Sequence, residues 1–254
     1  MKRILLASAA ILASWAPTLA ADLPTKAPAV VPVAAYSWTG FYVGANLGGG
    51  WASATTSDRF FVGPNGTGPA GPAVSFSNNL NGLIGGGQIG YNWQTGMWVL
   101  GAEADLDGSN QNATSCVHPA VTPNITTDCV NARVRSFGTI RGRLGIAVDR
   151  WMVYGTGGFG WQSISTNETF NAPIFGTAFV RGANISTTRS GLAAGGGFEV
   201  ALRDKWTVGA EYLYLSAGTW NPAIANFAAT GPSVVESNRG RNNIVRARLN
   251  YRFW

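Results

Sequence analysis

The sequence predicts an all-β fold, an eight-stranded antiparallel transmembrane β-barrel with short periplasmic turns and four long extracellular loops. Three observations point there. The final stretch alternates strictly, with Val245, Ala247, Leu249, Tyr251 and Phe253 on one face and Arg246, Arg248, Asn250 and Arg252 on the other, the period of two that marks a β-strand. An apolar face backed by arginines inverts the pattern of a soluble strand on a small core and fits a wall with lipid outside and charge inside. Such a strand also exposes a row of unpaired backbone groups, so its expected partner is the first strand and the sheet closes. Third, charged residues are only 12 % of the chain against 34 glycines and 11 % aromatics, so its polarity comes from Asn, Ser, Thr and Gly rather than from an ordinary Lys/Glu surface. A soluble lipocalin-like barrel, with the apolar face lining a pocket, is the competing architecture.

The 254 residues show no composition shift that would divide the fold, and one barrel domain is expected over residues 37–254. Residues 1–20 carry Lys2 and Arg3, an apolar run from Ile4 to Trp15, Pro17 and the small-residue end Thr18-Leu19-Ala20, the layout of a cleaved secretory signal peptide. Residues 21–36, with Pro24, Pro28 and Pro32, read as an extended periplasmic linker. No later stretch reaches the ~18 uncharged apolar residues of a membrane helix, so strands must do the crossing. The formal net charge is +6, but the basic residues are scattered singly, without the patch that phosphates require. No nucleic-acid partner is expected.

Taken in order, the first strand sets Phe41, Val43, Ala45, Leu47 and Trp51 against Tyr42, Gly44, Asn46, Gly48 and Gly50. The second sets Leu83, Ile89, Tyr91 and Trp93 against Gly86, Gln88, Gly90 and Asn92, and turns at Gln94-Thr95-Gly96. The third opposes Trp98, Leu100, Ala102, Ala104 and Leu106 to Glu103, Asp105 and Asp107. The fourth, from about Val134 to Val148, alternates Ile140, Leu144, Ile146 and Val148 with Arg141, Arg143 and Ala147, and turns at Asp149-Arg150. The fifth, Trp151 to Trp161, is glycine-rich; Val153, Phe159 and Trp161 are read as outward, Tyr154 and Thr156 as inward, and a one-residue slip would invert them. The sixth (Phe198, Val200, Leu202 against Glu199), the turn Arg203-Asp204-Lys205, and the seventh (Trp206, Val208, Ala210, Tyr212, Tyr214 against Gly209 and Glu211) lead to the eighth. Long connections at 52–79, 108–131, 163–190 and 219–241 alternate with the short turns, as in outer-membrane barrels, and put both termini at the periplasmic end. Trp93, Trp98, Trp151 and Trp206 all flank short turns; aromatics suit strands generally, but four at matching positions read as an interfacial girdle.

Inward positions collect Glu103, Asp105, Asp107, Glu199 and Glu211 with Arg141, Arg143, Arg246, Arg248 and Arg252. Ions inside a narrow barrel cost several kcal/mol each unless paired, so this balanced set reads as mutual salt bridges in an interior just wide enough for side chains to fill. A small or gated aqueous pore is the alternative, and inward glycines favour it by leaving volume for water. Cys116 and Cys129, the only cysteines, both fall in the second long connection and read as a disulfide in an exported chain. Zinc would need more ligands than the neighbouring His118. Gly155-x-Gly157-x-x-Gly160 matches a dinucleotide-binding string, but no βαβ context surrounds it, and small inward residues of a barrel strand explain it better. His118 is the single histidine and no acid is placed to orient it, so enzyme activity is not expected, nor are a cofactor or a metal. The Asn112, Asn124 and Asn167 sequons carry no evident meaning in such a protein.

Several segments carry a resemblance: Ala20-Ala21-Asp22-Leu23-Pro24, Trp38-Thr-Gly-Phe-Tyr-Val-Gly44, Arg141-Gly-Arg-Leu-Gly145, Tyr154-Gly-Thr-Gly-Gly158, Glu211-Tyr-Leu-Tyr214 and Leu249-Asn-Tyr-Arg-Phe253. Over most of its length the chain resembles the small outer-membrane β-barrel proteins of alphaproteobacteria, the outer-membrane immunogenic or "porin family" group, distantly similar to the OmpA and OmpX transmembrane domains. The resemblance implies eight antiparallel strands in the cell outer membrane, surface antigenicity, and a role in envelope integrity or host contact; some relatives are linked to porin-like activity or haem binding. It implies as partners the outer-membrane lipid and lipopolysaccharide, the barrel-assembly machinery, and host or environmental ligands met by the four long connections. It also implies an aromatic assembly signal at the last strand, here Tyr251, Phe253 and Trp254, with the departure that Trp254 follows the Phe on which relatives usually end. The expectation is therefore a structural or surface-interaction protein, with a narrow pore as the second reading and loop-mediated ligand capture, for instance of haem, as the third.

Overall fold

The structure, a computed structural model, describes residues 36–61, 70–117, 127–174, 177–203, 205–220, 225–226 and 233–253. The expected signal peptide, the linker apart from Tyr36, His118, Asp204 and Trp254 lie outside the described residues. The strands are β1 (Gly40–Phe61), β2 (Ala70–Thr95), β3 (Trp98–Ser109), β4 (Asn112–Val117), β5 (Thr127–Val148), β6 (Trp151–Ile174), β7 (Thr177–Arg203), β8 (Trp206–Trp220), β9 (Ala225–Asn226) and β10 (Ser233–Arg252). Eight of them close a ring in the order β1-β10-β8-β7-β6-β5-β3-β2, with β2 paired back to β1. The last strand closes onto the first along its whole length, from Tyr42↔Arg252 to Phe61↔Ser233. β4 continues the line of β3 after a break at Asn110 and Gln111, and β9 adds two residues beside β10, so the barrel has eight strands.

Alternation decides what each wall residue faces. Outward apolar side chains form a band that runs from Phe41 to Trp51 on β1, from Leu83 to Trp93 on β2, from Trp151 to Trp161 on β6 and from Leu192 to Leu202 on β7. Leu47, Leu83 and Leu192 are 67 %, 65 % and 73 % exposed, which an apolar solvent tolerates and water does not. At ~3.4 Å per residue and ~40° of tilt, each such run rises ~26 Å, the height of an outer-membrane apolar band. Trp93, Trp98, Trp151 and Trp206 ring its turn end, all about half exposed. The outward set on β6, Val153 and Phe159, and the inward Tyr154 follow the facing expected from the sequence. Tight reversals require left-handed backbone at Gly96 (φ 60°) and Asp149 (φ 50°), which Gly and Asp tolerate best.

The expected long loops 52–79, 108–131, 163–190 and 219–241 are corrected by the structure, because strand pairing continues far into them. β1 and β2 stay paired to Phe61↔Ala70, and β6 and β7 to Ile174↔Thr177. The physical reason is that backbone hydrogen bonding does not need the apolar alternation used to recognise a strand. Above the apolar band the outer wall carries polar residues such as Ser77, Asn79, Ser163 and Thr188, so the period-two signal disappears while the hairpins continue.

Candidate functional site

Three layers fill the barrel interior. At the turn end the chain enters through Trp38, which is fully buried and packs with Val99, Ala147, Met152, Tyr154 and Ala201. Its indole N–H donates to the Asp149 carbonyl at 3.2 Å, and its backbone N–H to Gln94 Oε1 at 2.7 Å. Tyr36 packs edge-on against it at 5.2 Å between ring centroids. Gly40, at φ 139°, lets the chain turn from this stopper into β1, a conformation open to glycine. Towards the hairpin end Ile84, Phe137, Ala193, Leu213, Leu215 and Ile244 form a second apolar layer, and Leu80, Ala132 and Val134 a further one.

Between the stoppers lies the charged layer. Register brings partners together: Glu103 is directly opposite Arg141 across β3 and β5, and Glu211 opposite Arg246 across β8 and β10. Arg141 reaches Glu103 and Asp105 at 2.7 Å and Glu211 at 2.8 Å. Arg246 reaches Asp105 at 2.9 Å, Asp107 at 3.0 Å and Glu211 at 2.7 Å. Arg143 pairs with Glu199 at 2.6 Å and lies 3.5 Å from Glu103. Arg248 pairs with Glu103 and reaches Glu211 at 3.3 Å and Glu199 at 3.7 Å. All these side chains are buried, where an ion is tolerable only when its partners replace its hydration. The fifth inward arginine, Arg252, sits nearer the turn end, donating to the Thr39 carbonyl at 2.9 Å and lying over the Tyr36 ring at 4.9 Å.

Neutral polar side chains extend the network to every strand of the ring. Tyr42 of β1 donates to Glu103 Oε2 at 2.5 Å and accepts from Arg143 at 2.9 Å. Tyr154 of β6 accepts from Arg248 at 2.6 Å, and its ring lies 3.9 Å beneath the Arg143 guanidinium, a stacked cation–π arrangement. Asn46 donates to Gln88 of β2, Gln88 to Asn250 of β10, and Asn250 to Glu199 of β7. A search for charges passes over these residues; the signal that finds them is parity, since each falls on an inward position of its strand.

Glycines make room for the charges, which corrects the expectation that they leave volume for water. Gly48 is opposite Arg246, Gly86 opposite Asp107, and Gly158 opposite Arg141. A Cβ on Gly48 would lie 2.1 Å from the Val245 carbonyl oxygen, and one on Gly90 2.3 Å from the Tyr42 hydroxyl. The space is occupied by the neighbouring strand and its side chains. The reading of Gly155-x-Gly157-x-x-Gly160 as inward is corrected too: Gly155 and Gly157 are exposed on the outer wall, and only Gly160 is buried. Val153 and Phe159 share the outward parity and set it.

Outside the band, Cys116 of β4 and Cys129 of β5 are register partners joined by a disulfide of 2.04 Å. Among the residues of the expected assembly signal, Tyr251 and Phe253 stack edge-on at 5.8 Å, and the Phe253 N–H donates to the Phe41 carbonyl at the closing seam.

Comparison with known proteins shows the family to which the chain belongs. The sequence model of the outer membrane protein beta-barrel domain family matches residues 6–253. The 31 kDa outer-membrane immunogenic protein of Brucella melitensis is 34 % identical, with all of both chains covered. The 22 kDa outer membrane protein of Rhizobium leguminosarum bv. viciae is 27 % identical over 51 % of each chain. Among solved structures, OprG of Pseudomonas aeruginosa aligns at 13 % identity and a TM-score of 0.41, covering 84 % of this chain and 97 % of its own. Ail of Yersinia pestis aligns at 12 % identity and a TM-score of 0.32, covering 81 % and 99 %. With the family model spanning nearly the whole chain, the protein belongs to the outer membrane β-barrel family and is a relative of the Brucella outer-membrane immunogenic proteins.

Proposed function

We propose that this outer-membrane barrel is a sealed structural and surface-presenting protein rather than a channel. The observation that carries the reading is the sequence of layers across the lumen: a Trp38 stopper, a charge network spanning all eight ring strands, and the Phe137, Leu213 and Ile244 layer. An ion crossing that path would have to displace guanidiniums already held by two or three carboxylates each. The interior is therefore a brace, and the polar hairpins above the band are the parts that meet the surroundings. The names of the Brucella relatives, which call them immunogenic, agree with hairpins displayed at the surface. No catalytic role is assigned, because the ionisable interior groups are committed to one another.

A strain lacking the protein tests this. Greater sensitivity to detergent and large antibiotics, with unchanged uptake of small solutes, is the expected outcome. Slowed uptake of small solutes with detergent resistance intact would overturn the reading in favour of a narrow porin.

A further inference from the structure

The alternation of β5 changes parity partway up the strand. From Val148 to Phe137 the inward residues are odd-numbered: Ala147, Arg143, Arg141, Thr139 and Phe137 are buried. Continued alternation would send Arg135 and Arg133 into the lumen beside Leu80. Instead, a register shift against β6 between Val134 and Ser136 inserts a bulge. Beyond it the even-numbered Val134, Ala132 and Val130 are buried, while Arg133 and Arg135 are exposed on the outer wall. Bulges re-aim side chains in this way.

The position of the two arginines limits what they can meet. The apolar run of β5 extends outward from Val148 through Ile146, Leu144 and Ile140 to Gly138, over which the Trp161 ring lies. Arg135 and Arg133 come next, which at the strand's rise and tilt puts them roughly 5–10 Å beyond the ~25 Å apolar band. That is headgroup height in the outer leaflet. Two same-face residues in a strand stand about 7 Å apart, a spacing at which two guanidinium forks can hold one phosphate between them. Arg135 also donates to Ser165 Oγ on β6 at 3.3 Å, which fixes its direction along the wall. Among the side chains described, the only exposed carboxylate is Asp149, at the opposite end of the barrel, so none of these competes for the pair.

We propose that Arg133 and Arg135 form a phosphate clamp for the lipid A headgroup of an outer-leaflet lipopolysaccharide, with acyl chains lying below against Ile140 and the sugar beside Trp161. The clamp lies on the outer wall and does not depend on whether the lumen is sealed. It is tested by titrating the refolded full-length barrel in detergent with lipopolysaccharide and with dephosphorylated lipopolysaccharide. Arg133→Ser with Arg135→Ser is expected to weaken binding of the intact lipid by about tenfold or more, as loss of charge-assisted hydrogen bonds implies. Binding of the dephosphorylated lipid is expected to be as weak in the parent as in the variant, and Arg133→Lys with Arg135→Lys to retain most of the affinity. The heat-sensitive gel shift should be the same in all three proteins, since both side chains lie outside the packed interior. Equal binding by parent and Ser variant, or equal binding of phosphorylated and dephosphorylated lipid, would overturn the clamp. Inorganic phosphate binding the pair as tightly as the lipid does would overturn the assignment to a headgroup and leave a site for free anions.

Discussion

Replacing Glu211 with Gln tests whether the interior acts as one brace or as separate contacts. Glu211 is buried and is approached by Arg141 at 2.8 Å, Arg246 at 2.7 Å and Arg248 at 3.3 Å. Glutamine keeps the shape and removes the charge. Removing one partner of a buried ion pair costs about 3–5 kcal/mol. Each of the three arginines keeps two other carboxylates: Glu103 and Asp105 for Arg141, Asp105 and Asp107 for Arg246, Glu103 and Glu199 for Arg248. The low end of that range applies, about 3 kcal/mol. Arg246→Met should cost a similar amount, because it leaves Asp105, Asp107 and Glu211 with fewer cations. In the double variant the charge removed from each side balances, so its cost should fall short of the sum by about 1–2 kcal/mol, as expected for residues in one network. The assay is guanidinium chloride unfolding of the barrel in lipid vesicles, followed by tryptophan fluorescence and checked by the heat-sensitive gel shift. A cost below about 1 kcal/mol for Glu211→Gln, or strict additivity in the double variant, would refute the reasoning.

Other perturbations separate the parts of the wall. Gly48→Ala should destabilise the barrel by about 1–3 kcal/mol or more, since its Cβ would press on the Val245 carbonyl, whereas Gly157→Ala, with nothing within 4 Å, should be close to neutral; unfolding curves of the two compared with the parent check this. Deleting Trp254 should leave outer-membrane levels unchanged, while deleting Phe253 and Trp254 together should lower them, because Phe253 holds the closing seam against Phe41; equal levels in immunoblotted membranes would refute the assembly-signal assignment. Cys116→Ser with Cys129→Ser should speed protease cleavage between β4 and β5 and leave the gel shift intact, since the bond joins these strands outside the apolar band; unchanged cleavage would mean that strand pairing alone holds the segment.

Much of this wall was legible because two solvents act on it. Lipid outside and packed charge inside give each strand an unambiguous alternation, as in Val245–Phe253 and Trp98–Asp107, and the inward carboxylates and arginines follow from parity alone. Legibility ended where one of those conditions lapsed. Past the band both faces of a strand become polar, so the paired hairpins of β1–β2 and β6–β7 look like loops. A single bulge at Val134–Ser136 reverses the parity of β5, so extrapolating from Arg141 points Arg133 and Arg135 the wrong way. Trp38 stands just ahead of the first alternating strand, and its full burial against Val99, Ala147, Met152 and Ala201 is a long-range placement that no local period encodes. The inward glycines were visible as gaps in the pattern, but what fills them depends on cross-strand register: Tyr42 at Gly90, and the β10 backbone at Gly48.

The most direct test of the sealed interior is ionic conductance across a planar bilayer for the refolded barrel beside Arg248→Glu. With the Trp38 and Phe137 layers on either side of the charge network, a sealed lumen passes no steady current in either protein once folding is established by the gel-shift criterion. Steady conductance whose ion selectivity changes in the variant would contradict it and make this barrel a porin.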